Sequence, residues 1–161
     1  MQALIFDVAG RRYGLPLPAT REIFQAVEVT PVAGAPGVIE GVVDVRGVLC
    51  PVMNLRRRFG LAASPEDPAH HLVQVAINGR TVLLRVDRAL DIADIQADQV
   101  QDILEVLPRA GHIAGVARLP DGMVLIADLD AFLTEAESEE LDEALLAISL
   151  TRAADSEAAD D

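Results

Sequence analysis

The stretch Gly41-Val42-Val43-Asp44-Val45-Arg46-Gly47-Val48-Leu49-Cys50-Pro51-Val52-Met53-Asn54-Leu55 decides how this chain is read. Two apolar, strand-like runs, at about 39–45 and 48–54, are joined through Arg46-Gly47. A basic turn, Arg56-Arg57-Arg58, follows; it fits one turn of helix with Asn54 as N-cap and Gly60 as stop. A single arginine in so apolar a double strand is either paired within the fold or presented to something outside it. Residue chemistry puts pairing first, with Glu22, Glu40 and Asp44 as the available carboxylates. The three consecutive arginines read by default as a solvated face.

Outward from this stretch the β pattern repeats. Residues 2–8 and 12–17 read as a hairpin about Ala9-Gly10-Arg11, and Pro16 and Pro18 end its second strand. Glu22-Ile23-Phe24 and Val27-Glu28-Val29 are short extended pieces before a Pro/Gly-rich loop, Pro31 to Gly37. Residues 62–69, with Pro65 and Pro68, make a polar break and the best internal boundary. Beyond it lie a hairpin about Asn78-Gly79 and another about Pro120-Asp121-Gly122. Such close turn spacing predicts small barrels or a sandwich, not βαβ units. From Glu135 to Leu150 the period becomes helical, with Leu141, Leu145, Leu146, Ile148 and Leu150 among clustered acids. Residues 151–161 are small and acidic and read as a disordered tail.

Composition bounds the function. A chain of 161 residues fits one domain or two small lobes sharing a core, and 51% hydrophobic residues exclude general disorder. At 3% aromatic, the core must be built from Val, Leu, Ile and Ala. No apolar run approaches the ~20 residues that span a bilayer, and the start lacks a basic n-region. With one cysteine and no internal disulfide, the chain reads as soluble and cytoplasmic. Net charge is −13, and residues 134–161 hold ten acids against Arg152 alone. That excess argues against nucleic acid and against an anionic membrane surface as partners.

Nothing in the sequence points to catalysis, a cofactor or a metal. His70 and His71 are adjacent and would point to opposite faces of a strand; His112 stands alone, and all three read as surface or turn histidines. Cys50 reads as a buried, inert thiol, having neither a neighbouring base nor a Cys-x-x-Cys partner. No Gly-x-Gly-x-x-Gly or P-loop pattern occurs.

The opening stretch resembles the signature of CheW-type coupling domains, and other parts of that pattern follow in order. Tyr13-Gly14-Leu15-Pro16-Leu17, Arg21-Glu22-Ile23, Ala35-Pro36-Gly37-Val38-Ile39-Glu40-Gly41, Val86-Asp87, Gly115-Val116-Ala117 and Met123 to Leu129 each resemble a family segment. The resemblance implies a mainly β fold over residues 1–150. Its two SH3-like five-stranded barrels, roughly 12–62 and 70–127, would share an apolar core and carry a C-terminal helix at roughly 135–150. It also implies a non-catalytic adaptor in chemosensory signalling that binds a chemoreceptor's cytoplasmic tip and the regulatory domain of a CheA-type histidine kinase. Recruitment to membrane receptor arrays would then come through partners. By carry-over Arg46 and Glu22 lie at receptor-contacting positions in the groove between lobes, with Ile23, Val45 and Gly47 beside them. No residue is assigned to the kinase contact. Asp44 stands where the family usually has Asn, and Arg85 and Arg88 flank Val86-Asp87 where smaller or apolar residues are commoner. A reading from a different class is a small acidic β-barrel that binds a diffusible ligand in the interlobe groove without any kinase.

Overall fold

Three hairpins turn on residue pairs whose backbones are both left-handed. φ is 52° and 77° at Ala9-Gly10, 53° and 87° at Arg46-Gly47, and 49° and 81° at Asn78-Gly79. Two-residue turns of this hand match the twist of the strands they join, so they set the register of everything between them. Arg46 therefore sits at the tip of a hairpin, at the Arg46-Gly47 junction that the sequence places between two apolar runs.

The computed structural model describes residues 1–65, 67–102 and 111–160, with side chains to residue 150. The strands are β1 (Gln2–Val8), β2 (Arg11–Pro16), β3 (Thr20–Gln25), β4 (Ile39–Val45), β5 (Val48–Asn54), β6 (His71–Ile77), β7 (Arg80–Val86), β8 (Arg88–Asp94), β9 (Val100–Asp102), β10 (Ile113–Leu119) and β11 (Gly122–Ala127). A single turn of helix, α1 (Leu55–Arg58), follows β5, and a long helix, α2 (Glu135–Asp160), follows β11. The described residues thus form a mainly β fold with a C-terminal helix.

The strands make two mixed sheets, a six-stranded one in the order β8-β1-β2-β11-β10-β9 and a five-stranded one in the order β3-β6-β7-β5-β4. Two differences from the sequence reading follow. The first is that neither ladder closes into a five-stranded barrel: β8 and β9 are edges of one sheet, β3 and β4 of the other. Closure of the smaller sheet is left to a bridge between Thr30 and Val42, with N–H···O bonds of 3.0 and 2.8 Å, and to side chains. The second is that the break at 62–69 does not divide the sheets. β6 and β7 lie beyond it yet pair with β3 and β5, while β1 and β2 pair with β8 and β11.

One core lies between the sheets. Phe6, Tyr13 and Leu15 from one meet Met53, Val73, Val82 and Leu84 from the other, with Leu55, Phe132 and Leu141 closing the end. Four of the five aromatic residues run through it as a chain. Phe6 stacks on Tyr13 at 5.7 Å, Tyr13 on Phe59 at 4.7 Å, and Phe59 meets Phe132 edge-on at 5.5 Å. Burying each such ring stabilises the fold by roughly 1.5–3 kcal/mol. A second cluster, Val29, Cys50, Val52, Leu72 and Leu83, fills the other face of the five-stranded sheet.

The arginine turn is structural, not a solvated face. Asn54 caps α1 through its side-chain oxygen, which accepts from Arg57 N–H at 3.1 Å. Arg56 then donates to both Asp87 oxygens at 3.2 and 2.5 Å, Arg57 to the Gly37 carbonyl at 3.1 Å, and Arg58 to Glu137 at 2.7 Å. Glu137 and Thr134 form a reciprocal capping box that starts α2. The helix docks through Leu141 and Ala144 and continues to Asp160, past the end expected at residue 150. Alanines and acids without Gly or Pro sustain a helix there, where composition alone suggested a disordered tail; residue 161 lies outside the described residues.

Candidate functional site

β3 brings Glu22 to one edge of the five-stranded sheet, and the turn after β4 brings Arg46 to the other. The guanidinium donates two hydrogen bonds, Nη1 to Glu22 Oε1 at 2.9 Å and Nη2 to Oε2 at 3.1 Å. This fork-to-fork pairing is the geometry arginine is built for. Hydrogen bonding to Glu22, and then its charge, raise the Arg46 pKa above the usual value. Yet the pair lies in the open: the Arg46 side chain is 73% exposed and Glu22 41%. Arg46 is thus paired with a carboxylate and exposed to solvent at once.

The other two candidate carboxylates are engaged elsewhere. Glu40 pairs with Arg85 at 2.6 Å, both almost wholly buried. Asp44 Oδ1 accepts from Gly47 N–H at 2.7 Å, which ties the turn that carries Arg46. Beside that turn lies a groove of about 260 Å³ lined by Phe24, Val27, Val43, Val45, Leu72 and Leu83, with Asp44 and Arg46 at its border. All of these belong to the five-stranded sheet or its connections, so the groove is a concavity of one sheet and not a cleft between two. Val27 in its wall is 52% exposed, and Val48, paired with Val45 across the hairpin, is 60% exposed. Val45 lines the groove, and Gly47, whose φ of 87° suits glycine, completes the turn; Ile23 follows Glu22 on β3 and is 47% exposed, but it pairs with Val73 and so lies on the sheet face away from the groove. Apart from Ile23, the residues singled out from the sequence are therefore neighbours, and Phe24, Val43, Leu72 and Leu83 are the part sequence reasoning missed. Their side chains read as ordinary core positions, and only the sheet's curvature shows that they border an opening.

The histidines differ from their sequence reading. His70 is buried, with Nε2 4.0 Å from Asp87. His71 Nδ1 accepts from Ala89 N–H at 2.9 Å. His112 packs against Phe59 and Phe132, and burial, with the nearby Arg58 charge, lowers its pKa. Cys50 is buried as expected; burial, then Asp44, pushes its thiol pKa up. Among the described residues no three His, Cys, Asp or Glu side chains gather as a metal site, and no helix is long and apolar enough to cross a membrane.

Residues 2–137 match the model of the CheW-like domain. The chain belongs to that family. It is 27% identical over 136 residues to the chemotaxis protein CheW of Klebsiella aerogenes, spanning 83% of this chain and 82% of that one. It is 26% identical over 141 residues to the chemotaxis protein CheW of Rhizobium meliloti, spanning 86% and 90%. Its fold is similar to the crystal structure of the scaffolding protein TtCheW from Thermoanaerobacter tengcongensis, with a TM-score of 0.78 and 25% identity over 84% of this chain and 94% of the other. As a CheW-like domain, the chain carries its Arg46–Glu22 pair on a fold shared with a scaffolding protein.

Proposed function

We propose that this CheW-like chain is a non-catalytic adaptor of chemosensory signalling, coupling the cytoplasmic tips of chemoreceptors to a CheA-type histidine kinase. The reading rests on the family match and, within the site, on one observation. A bidentate but exposed Arg46–Glu22 pair stands at the border of an apolar groove flanked by the exposed Val27 and Val48. An amphipathic helical hairpin would lay its apolar stripe along that groove, while charged groups read against Arg46 and Glu22 fix its register. Arg46, Glu22, Ile23, Val45 and Gly47 are the proposed receptor-contacting residues. The protein would act in the cytoplasm and reach membrane arrays through its partners.

Binding of a diffusible ligand gains no support from this geometry. The groove is lined by six apolar side chains, and the two polar ones at its border are already hydrogen-bonded within the fold. Nothing there converges to orient a small molecule. The test is co-elution of the purified chain with a receptor cytoplasmic tip and, separately, with the kinase regulatory domain. The adaptor reading expects both complexes. Failure to bind either one would overturn it.

A further inference from the structure

We propose that the outward face of α2 is a docking surface for a basic amphipathic helix of a partner protein. Glu139, Glu143, Leu146 and Leu150 follow one another at spacings of four, three and four, which places them on one face of the helix. That face lies opposite Leu141 and Ala144, which pack on the body, and all four residues are exposed, Leu146 at 61% and Leu150 at 64%. An isolated exposed leucine is ordinary; two stacked a turn apart form an apolar strip with a charged end.

Charge decides the occupant. Between residues 134 and 151 the chain carries six acids and no Lys or Arg. Glu137 is met by Arg58 and Asp142 by Arg80, but no ion pair reaches Glu139 or Glu143 among the described residues. Those two glutamates sit one turn apart and repel each other. A second copy fits badly. Antiparallel pairing about the middle of the stripe sets Glu139 on the other Leu150 and Glu143 on the other Leu146, covering carboxylates with leucine. Parallel pairing sets glutamate against glutamate, and each chain carries −13 overall. An anionic bilayer is repelled by the same field. A partner helix running antiparallel, with two apolar residues followed by two basic ones at the same spacings, complements every position. Its cations then sit near its own C-terminus, where the helix dipole favours them.

The probe is a synthetic helical peptide with two leucines four residues apart, followed by arginines three and seven residues after the second leucine. Its control carries glutamates in place of the arginines. Methyl NMR titration of the full chain should show saturable shifts confined to Leu146, Leu150 and their neighbours. Leu146→Ser/Leu150→Ser should weaken binding about tenfold or more, Glu139→Gln/Glu143→Gln should reduce both affinity and its salt dependence, and far-UV spectra should confirm that both variants are folded. Absence of saturable shifts, equal binding of the control peptide, or unchanged binding by both variants would overturn the proposal. So would a dimer that the leucine variant abolishes, or binding to anionic vesicles through the same leucines.

Discussion

Arg46 at the tip of the β4–β5 hairpin and Glu22 on β3 are joined by two hydrogen bonds, of 2.9 and 3.1 Å, across the side of the five-stranded sheet that its ladder leaves open. The pair therefore has two separable properties, a tie between sheet edges and a charged surface beside an apolar groove. With Arg46 so exposed, the tie adds little to stability in water.

Exchanging the charges separates the two. Arg46→Glu alone sets two carboxylates against each other and should weaken receptor binding on the order of tenfold or more, with melting changed by only a few degrees. Adding Glu22→Arg restores the tie but presents the charges in reverse. Receptor pull-down should therefore stay weak in the double variant. Full recovery of binding would show that only the tie matters.

Docking of α2 depends on the fully buried Leu141, not on the exposed Leu146. Leu141→Ala should lower unfolding free energy by about 2–5 kcal/mol, and Leu146→Ala by no more than about 0.5 kcal/mol. Urea titration of both variants decides this; equal effects would contradict the packing described.

Two glycines near the site should respond differently to a methyl group. A Cβ on Gly41 would collide with the Thr30 backbone, at the bridge that helps close the sheet, whereas Gly47 has open space and only its positive φ to satisfy. Gly41→Ala should lose at least about 2 kcal/mol, from overpacking against backbone. Gly47→Ala should lose about 1 kcal/mol, from strain. Thermal unfolding of the two single variants measures the difference.

Glu40 and Arg85 form the most deeply buried ion pair described, with side chains 8 and 6% exposed. Removing one partner strands the other, so Glu40→Ala should cost about 3–5 kcal/mol. Replacing both with apolar residues of similar volume should be near neutral or mildly stabilising, as seen by denaturant midpoint. A double variant as unstable as the single one would contradict this account.

Acid should expose the role of Asp87. Burial alone would raise its pKa, but hydrogen bonds from Arg56 and from Ala9 N–H, with the Arg56 charge, outweigh burial and hold it below the ordinary 3.8. A carboxyl depressed in the folded state stabilises the fold above its unfolded pKa, and that stability is lost as pH falls through the folded value. Asp87→Asn should thus melt lower than the wild type at neutral pH, and the gap should narrow as pH drops below about 4. Melting curves across that range test it; a constant gap would show that the carboxylate's charge is not what matters. Glu137, lowered through Arg58 and Thr134 despite its burial, remains in both proteins and shifts both curves in the same direction.

Much of this was legible in the sequence because local signals are strong where side chains must choose a face. Asn78-Gly79 and Ala9-Gly10 announce hairpins, and Asn54 announces the cap of α1, without any long-range information. β8 escaped because nearly every position along Arg88–Asp94 faces solvent, leaving no apolar alternation to read, and β9 is only three residues long. The partners of Arg56 and Arg58 escaped for another reason. Asp87 and Glu137 lie 31 and 79 residues away, and only the tertiary fold brings them near. At the site, sequence gave the charged and turn residues their prominence, whereas the groove walls look like any other valines and leucines until the sheet bends around them.

The threading of strands between the sheets bears on how the molecule is made. β1 and β2 leave the ribosome well before their sheet partners β8 and β11, which end at Asp94 and Ala127. During synthesis the opening hairpin must therefore wait, with Phe6 and Tyr13 uncovered, while the five-stranded sheet assembles from the middle of the chain. Contacts so distant in sequence make for slow folding and a nascent chain vulnerable to aggregation. The six-stranded sheet cannot be cut out as a continuous fragment, because all of β3 to β7 is inserted between β2 and β8, so any truncation that ends before Ala127 takes partners away from β1 and β2.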